Sequence, residues 1–286
     1  MSGSTMHDRN ADQIAFWDGP GGQIWTERQA LQDTVLAPVS TALLDRAAAK
    51  TGERVVDVGC GCGVTTIELA RRVGPTGHVL GIDVSQQMLA RARERAPKGL
   101  VLDFAHADAT VHPFEPARTD LLCSRFGVMF FAEPARSFSN MRTALRPGGR
   151  LAFACWREPG HNPWAMTPLR AAYKHVPRLP VAGPDDPGLF SFAREERVRG
   201  ILSEAGFTSI GMEPCDFNFD MAIGRGLDAA VETALILGPT TRALKEQPLD
   251  VKTAVAQSIR VALTPFQKGD TVALGAGIWL VTAVSP

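Results

Sequence analysis

Net charge is missing from this chain: thirty Lys and Arg balance thirty Asp and Glu. The global basic excess that usually accompanies binding to a nucleic-acid backbone is therefore absent. The local run Arg91, Arg93, Arg95 is split by Glu94 and reads as a solvated helix face. Cysteine is sparse. Cys60, Cys62, Cys123, Cys155 and Cys215 are few and odd in number for 286 residues. This speaks against a disulfide framework and for reduced thiols in the cytoplasm. Long apolar runs are lacking too. The longest, Thr271–Val284, is too short to span a bilayer as a helix, and its β-branched content predicts a buried strand. Met1–Asn10 is polar and reads as no signal peptide. No internal repeat or low-complexity tract is visible. What remains is 45% hydrophobic and 21% charged, ordinary for a globular chain.

From Glu53 to Trp156 two patterns alternate. Short β-branched runs fall at Arg54–Val58, His78–Ile82, Val101–Ala105, Asp120–Ser124 and Arg150–Cys155. Helical segments lie between most of them, at Val64–Val73, Ser85–Ala96 and Pro134–Leu145. The alternation predicts βαβ crossovers and a parallel sheet covered on both faces. Ser85 suits an N-cap, Pro97 stops its helix, and Pro147-Gly148-Gly149 turns into the next strand. Upstream, Phe16, Trp17 and Trp25 stand among glycines, followed by a helix around Leu31–Lys50. Downstream come a Pro/Gly-rich loop at Pro177–Gly188, a helix at Arg194–Ala205 and a strand at Phe207–Phe217. Two or three helices over Gly226–Leu263 and the strand Thr271–Val284 complete the chain.

The most informative stretch is Val55-Val56-Asp57-Val58-Gly59-Cys60-Gly61-Cys62-Gly63. A buried strand runs into glycines at alternate positions and then into a helix. Glycines permit a sharp turn and let a ligand lie against bare backbone. The helix start offers free N–H groups to an anion. The dinucleotide fingerprint requires a sixth-position glycine, yet Val64 or Thr66 stands there in the two frames. The Gly-Lys-Ser/Thr of a P-loop is absent. An acid before alternate glycines suits a ligand with a cationic amine and a carboxylate. Asp83 ends the second strand, where Rossmann-like folds place an acid against ribose hydroxyls. Asp108 follows the third, where an acid can accept from an exocyclic amine. Cys60-x-Cys62 has neither the usual metal spacing nor a second pair nearby, so no metal is expected.

These motifs together resemble the class I S-adenosylmethionine-dependent methyltransferases, in particular the small-molecule branch of the ubiquinone/menaquinone-biosynthesis type. The matching residues are Val55–Gly63, Gly81-Ile82-Asp83-Val84-Ser85 with Met88, Ala107-Asp108-Ala109 and Leu145–Leu151. The resemblance implies S-adenosylmethionine as cofactor and S-adenosylhomocysteine as product. It implies that Asp57 and the loop Gly59, Cys60, Gly61 and Gly63 hold the methionine part. Asp83 and Val84 would meet the ribose, Met88 the adenine, and Asp108 with Ala109 its edge, with Ser124 and Trp25 also on the cofactor side. It implies a Rossmann-like, doubly wound α/β sheet of seven strands, mostly parallel with an antiparallel last strand, plus a helical cap. The last strand is expected beside Phe207–Phe217.

The chain reads as one domain over residues 1–286: an N-terminal cap (1–50), a cofactor-binding core (51–156), and a substrate-side region (157–286) with a helical insertion at 226–263. The acceptor is expected over the strand ends. Trp17, Phe126, Trp156 and Trp164 would line an aromatic pocket for a flat or apolar small molecule. His161 is the candidate base, since His titrates near neutral pH, and Arg125 could hold an acceptor carboxylate or phenolate. Gly19, Gly21 and Gly22 offer hinges for an N-terminal lid. Leu227, Val231, Leu235 and Ile236 give the insertion an apolar face that serves a lid or a homodimer equally. Nucleic acid and membrane partners are not expected. Two alternatives stand beside this reading: a cofactor-binding regulatory module without catalysis, which the same residues fit, and an NAD(P)-dependent oxidoreductase, which Val64 and Thr66 disfavour.

Overall fold

The computed structural model describes residues 6–180, 183 and 186–286. Residues 1–5 of the polar start and 181–182 and 184–185 of the Pro177–Gly188 loop lie outside them. Four short helices come first: α1 (Met6–Trp17), α2 (Pro20–Glu27), α3 (Gln29–Val35) and α4 (Ala37–Ala47). The core follows as β1 (Arg54–Val58), α5 (Val64–Val73), β2 (His78–Asp83), α6 (Gln86–Arg95), β3 (Leu102–His106), β4 (Thr119–Arg125), α7 (Pro134–Arg142) and β5 (Leu145–Trp156). The remainder is α8 (Pro163–Ala172), α9 (Glu195–Glu204), β6 (Thr208–Asp220), α10 (Gly226–Ile236), α11 (Pro239–Ala243), α12 (Leu249–Leu263), β7 (Gln267–Lys268) and β8 (Thr271–Val284).

The long strands lie in the order β3-β2-β1-β4-β5-β8-β6, and the two-residue β7 adds to β8. Strands β1 to β5 pair in parallel. β8 runs antiparallel between β5 and β6. This is the expected seven-stranded sheet with its antiparallel final strand beside β6. The unbroken apolar run of β8 follows from that place: it is paired along both edges and covered by helices, so few of its side chains reach water. Parallel pairing puts the C-terminal ends of β1, β2, β3 and β4 along one edge, and the strand order switches direction between β1 and β4, the usual ligand crevice of such sheets.

The cap departs from expectation. Phe16, Trp17 and Trp25 lie on α1 and α2, not on a glycine-rich loop. Gly21 and Gly22 are helical and are selected by close packing. A Cβ on Gly21 would fall 2.6 Å from the Phe16 ring, and one on Gly22 2.4 Å from Ser85 Oγ. They are contact points, not hinges. The helix expected around Leu31–Lys50 is two helices broken at Leu36, because Pro38 in the first turn of α4 has no N–H to continue α3. Helix α8 fills a stretch with no expected element. Helix α10 packs on α8, α12 and β8, so part of the insertion's apolar face is covered within the chain. Among the described residues no helix is long and apolar enough to cross a membrane.

Candidate functional site

The loop after β1 places its glycines where only glycine sits easily. Gly59, Gly61 and Gly63 have φ of +66°, +54° and +82°. Gly59 and Cys60 donate to the Ile82 carbonyl, tying the loop to the end of β2. Gly61 N–H donates to Asp83 Oδ2 at 2.8 Å, and Ser85 N–H to Asp83 Oδ1 at 2.9 Å. Burial raises the Asp83 carboxyl above the usual carboxylate range, against the pull of these N–H groups. Ser85 caps α6 by accepting from Met88 N–H, which fixes Met88 beneath the loop. Beyond β3, Asp108 accepts from Thr110 N–H, Thr110 Oγ1 and, at 2.9 Å, from Asn10 Nδ2 of α1.

A cleft of about 1040 Å³, its open mouth included, runs over these strand ends. Of the expected residues it gathers Gly59, Cys60, Gly61, Asp83, Val84, Met88, Asp108, Ala109, Trp17, Trp25, Arg125 and Phe126. The other face is aromatic, with Trp17 and Trp25 from the cap and Phe126, Phe130 and Phe131 from the segment after β4. Trp17 meets Phe130 edge-on at 4.8 Å and Trp25 at 6.3 Å. Phe126 holds a left-handed backbone, φ +69°, unusual for a bulky residue. Its ring is stacked on Trp156 at 4.3 Å, 9° from parallel. That stack helps hold a strained residue at the cleft.

Several expected site residues serve the scaffold instead. Asp57 is fully buried behind the loop, and its Oδ2 accepts from Thr65 and Thr66 Oγ1, both at 2.6 Å. Burial raises its carboxyl to about 6 although both hydroxyls oppose the shift. It holds the first turn of α5 through Oδ2, is absent from the cleft lining, and its Oδ1 has no hydrogen-bond partner. Gly63 packs on Ala92 and Phe104. Ser124 Oγ donates to Val58 O at 2.8 Å, joining β4 to β1. Trp156 lies behind Phe126, outside the cleft lining. Trp164 is buried at the start of α8 and donates from Nε1 to Asn162. His161 is exposed, pairs with Arg157 at 3.1 Å and does not reach the cleft. Its position after β5 suggested a base, but the backbone turns it toward β8, where Arg157 N–H bonds Gly277 O. No residue of the 226–263 insertion lines the cleft.

Sequence reasoning missed the polar face of the cap. Gln29, Gln32 and Asp33 line the cleft from α3, and Asn10, Gln13 and Ile14 from α1. The arginines of α6 carried a signal that was misread. Arg91 donates to Gln29 Oε1, Arg95 to Asp33 and to the Cys62 carbonyl, and Arg93 to Phe104 O. Arg91 and Arg95 bind the cap and the loop, whereas Arg93 stays exposed and reaches β3. Burial raises the Cys60 thiol well above its usual range and the Cys62 thiol to about 11, so both stay protonated. Among the described residues no group of His, Cys, Asp or Glu is arranged to hold a metal ion.

Comparison with known proteins agrees with this geometry. Residues 55–149 match a family described as a methyltransferase domain. A 37.1 kDa protein in transposon TN4556 of Streptomyces fradiae is 36% identical over 151 residues, 53% of this chain and 41% of that one. The alignment thus spans less than half of that relative. The ubiquinone/menaquinone biosynthesis C-methyltransferase UbiE of Erwinia tasmaniensis is 26% identical over 57% of this chain and 70% of its own. Among solved structures, a phosphoethanolamine N-methyltransferase of Haemonchus contortus, in complex with S-adenosylhomocysteine, superposes with a TM-score of 0.56 at 20% identity. It covers 99% of this chain and 60% of its own. Residues 55–149 thus carry a methyltransferase domain, similar in sequence to the ubiquinone/menaquinone-biosynthesis C-methyltransferases and in fold to solved methyltransferases.

Proposed function

We propose that the chain, acting as one domain, transfers a methyl group from S-adenosylmethionine to a small apolar or aromatic acceptor. The observation that carries this reading is the single cleft in which the glycine loop, Asp83 and Asp108 face the rings of Trp17, Trp25, Phe126 and Phe130. The residues fit the cofactor. Gly61 presents bare backbone at positive φ, with open space where a Cβ would stand except for Met88 Sδ at 3.6 Å. Asp83 and Asp108 keep acceptor capacity beyond the N–H and hydroxyl groups they already hold. When bound, S-adenosylmethionine supplies a methyl group activated by its sulfonium charge.

The chain's own work is alignment and exclusion of water. Asp83 accepts from ribose hydroxyls. Met88 packs beside the adenine, and Asp108 with Ala109 reads its edge. The aromatic face holds a flat acceptor against Phe126 and Gly127 and keeps solvent away. Incubation with S-adenosylmethionine and a panel of phenols, quinols, amines and thiols, with S-adenosylhomocysteine formation measured, tests the reading. Calorimetry separates catalysis from binding. Asp83→Ala weakens cofactor binding by about 1–3 kcal/mol, the usual cost of buried partners left unpaired. Tight binding with no product from any acceptor would favour a regulatory module instead.

A further inference from the structure

Three polar side chains of α3 line the cleft, and two of them are already engaged. Gln29 Nε2 donates to Asp33 at 2.5 Å, and its Oε1 accepts from Arg91. Asp33 pairs with Arg95 at 2.6 Å. Gln32 differs. It is 2% exposed, and its Oε1 meets no donor. On the same cleft Arg125, half-buried at the end of β4, donates from Nη1 to Ser40 Oγ at 2.7 Å. Among the described residues it has no carboxylate within ion-pair distance. Asp33 and Asp57 are near enough to feel its charge; Arg95 pairs with Asp33, and Thr65 and Thr66 both donate to Asp57 Oδ2, leaving Oδ1 without a donor but outside the cleft lining. The cleft thus contains one uncommitted cation and one uncommitted acceptor. Leaving either shut away from water without a partner is unfavourable.

Their place along the sheet narrows the ligand. Asp108 follows β3, Asp83 ends β2, the glycine loop follows β1 and Arg125 ends β4, and these four strands are consecutive neighbours. Gln32 belongs to the same end, because its neighbour Asp33 is tied through Arg95 to the Cys62 carbonyl of the loop. Adenine edge, ribose and amino-acid end then follow one another strand by strand. A carboxylate and an ammonium on one carbon would satisfy both free groups together.

We propose that Arg125 and Gln32 form the pole that receives the amino-acid end of S-adenosylmethionine, Arg125 taking the α-carboxylate and Gln32 Oε1 accepting from the α-ammonium. This rests on the cofactor reading above and moves Arg125 from the acceptor side to the donor side. Both are positioning residues: they fix where the sulfonium lies relative to Phe126 and Gly127.

Calorimetry with S-adenosylmethionine and with decarboxylated S-adenosylmethionine tests it, on folded variants checked by circular dichroism. The wild type should bind the decarboxylated compound at least tenfold more weakly. Arg125→Met should lose at least tenfold on S-adenosylmethionine and less than twofold on the decarboxylated compound. Arg125→Lys, the milder replacement, should keep part of the discrimination. Gln32→Leu, lacking the acceptor, should weaken both ligands severalfold, since both carry the ammonium. Equal losses on both ligands in Arg125→Met and Arg125→Lys would overturn the assignment. So would unchanged binding of both with a raised acceptor KM, which would return Arg125 to the acceptor. If the wild type binds neither ligand, the cofactor reading itself falls.

Discussion

Gly59 and Gly127 meet backbone to backbone across the heads of β1 and β4: a Cβ on Gly59 would lie 2.8 Å from the Gly127 Cα, and one on Gly127 2.9 Å from the Gly59 Cα. No side chain fits between them, so the loop after β4 is pressed on the glycine loop after β1. Gly127→Ala should cost about 1–3 kcal/mol, as overpacking at a rigid backbone contact does. It should also weaken cofactor binding by displacing Gly59. Denaturant unfolding and calorimetry on the same variant check both, and an unchanged unfolding midpoint would contradict the contact.

Asp57 should make stability depend on pH with an unusual sign. Its carboxyl is raised by burial to about 6 from an ordinary 3.8. Between those values the folded chain holds a proton that the unfolded chain has released. Stability from this group is therefore greatest below about 4 and is lost as pH rises to about 6. The loss is on the order of 3 kcal/mol. Asp57→Asn carries no charge to desolvate. Its stability relative to wild type should rise between pH 4 and pH 7 in urea titrations, whereas a difference that stays flat would place the Asp57 carboxyl near its ordinary value.

His161→Ala should leave kcat and KM within about twofold of wild type. The imidazole is exposed, bonded to Arg157, and absent from the cleft. Its neighbour Asn162 is different. It is fully buried, donates to three backbone carbonyls and accepts from Trp164 and Gly277. Asn162→Ala should cost stability, about 1–3 kcal/mol for the partners left unpaired. A tenfold loss of kcat in His161→Ala at unchanged stability would restore its candidacy as a base.

The cap should tighten on the cofactor. Asn10 donates to Asp108, Asp18 accepts from Gln86 N–H, and Gln87 donates to the Asp18 and Gly19 carbonyls. All the core partners lie beside the proposed cofactor site. Amide exchange over 16–28 should slow when S-adenosylmethionine is added. No added protection there would remove the cap from the binding event.

The sheet was legible because its signals are local: β-branched runs, the Ser85 cap and the alternate glycines each speak for a few residues. Val64–Val73 and Thr271–Val284 were read with the bounds that the structure shows. The placement of Asp83 and Asp108 on the cleft was legible because Asp83 ends β2 and Asp108 follows β3. The cap was not. Gly21 and Gly22 look like loop residues until Phe16 and Ser85 are placed against them. Gln29, Gln32 and Asp33 look like solvated helix until the arginines of α6 are seen to reach them. His161 and Trp164 failed for the converse reason. Nearness in sequence to a strand end did not fix the direction of the turn that follows.

The two sides of the cleft are fastened differently. Residues 58–131 are built into the sheet and its turns, whereas residues 10–33 rest on them through side-chain hydrogen bonds and ring contacts. An N-terminal segment can therefore be exchanged between relatives without disturbing a strand. Donor handling stays with the sheet and the polar residues of the cap, and a chimera that keeps Asn10, Asp18, Gln29, Gln32 and Asp33 while replacing the rings among them should take a new acceptor on an unaltered core.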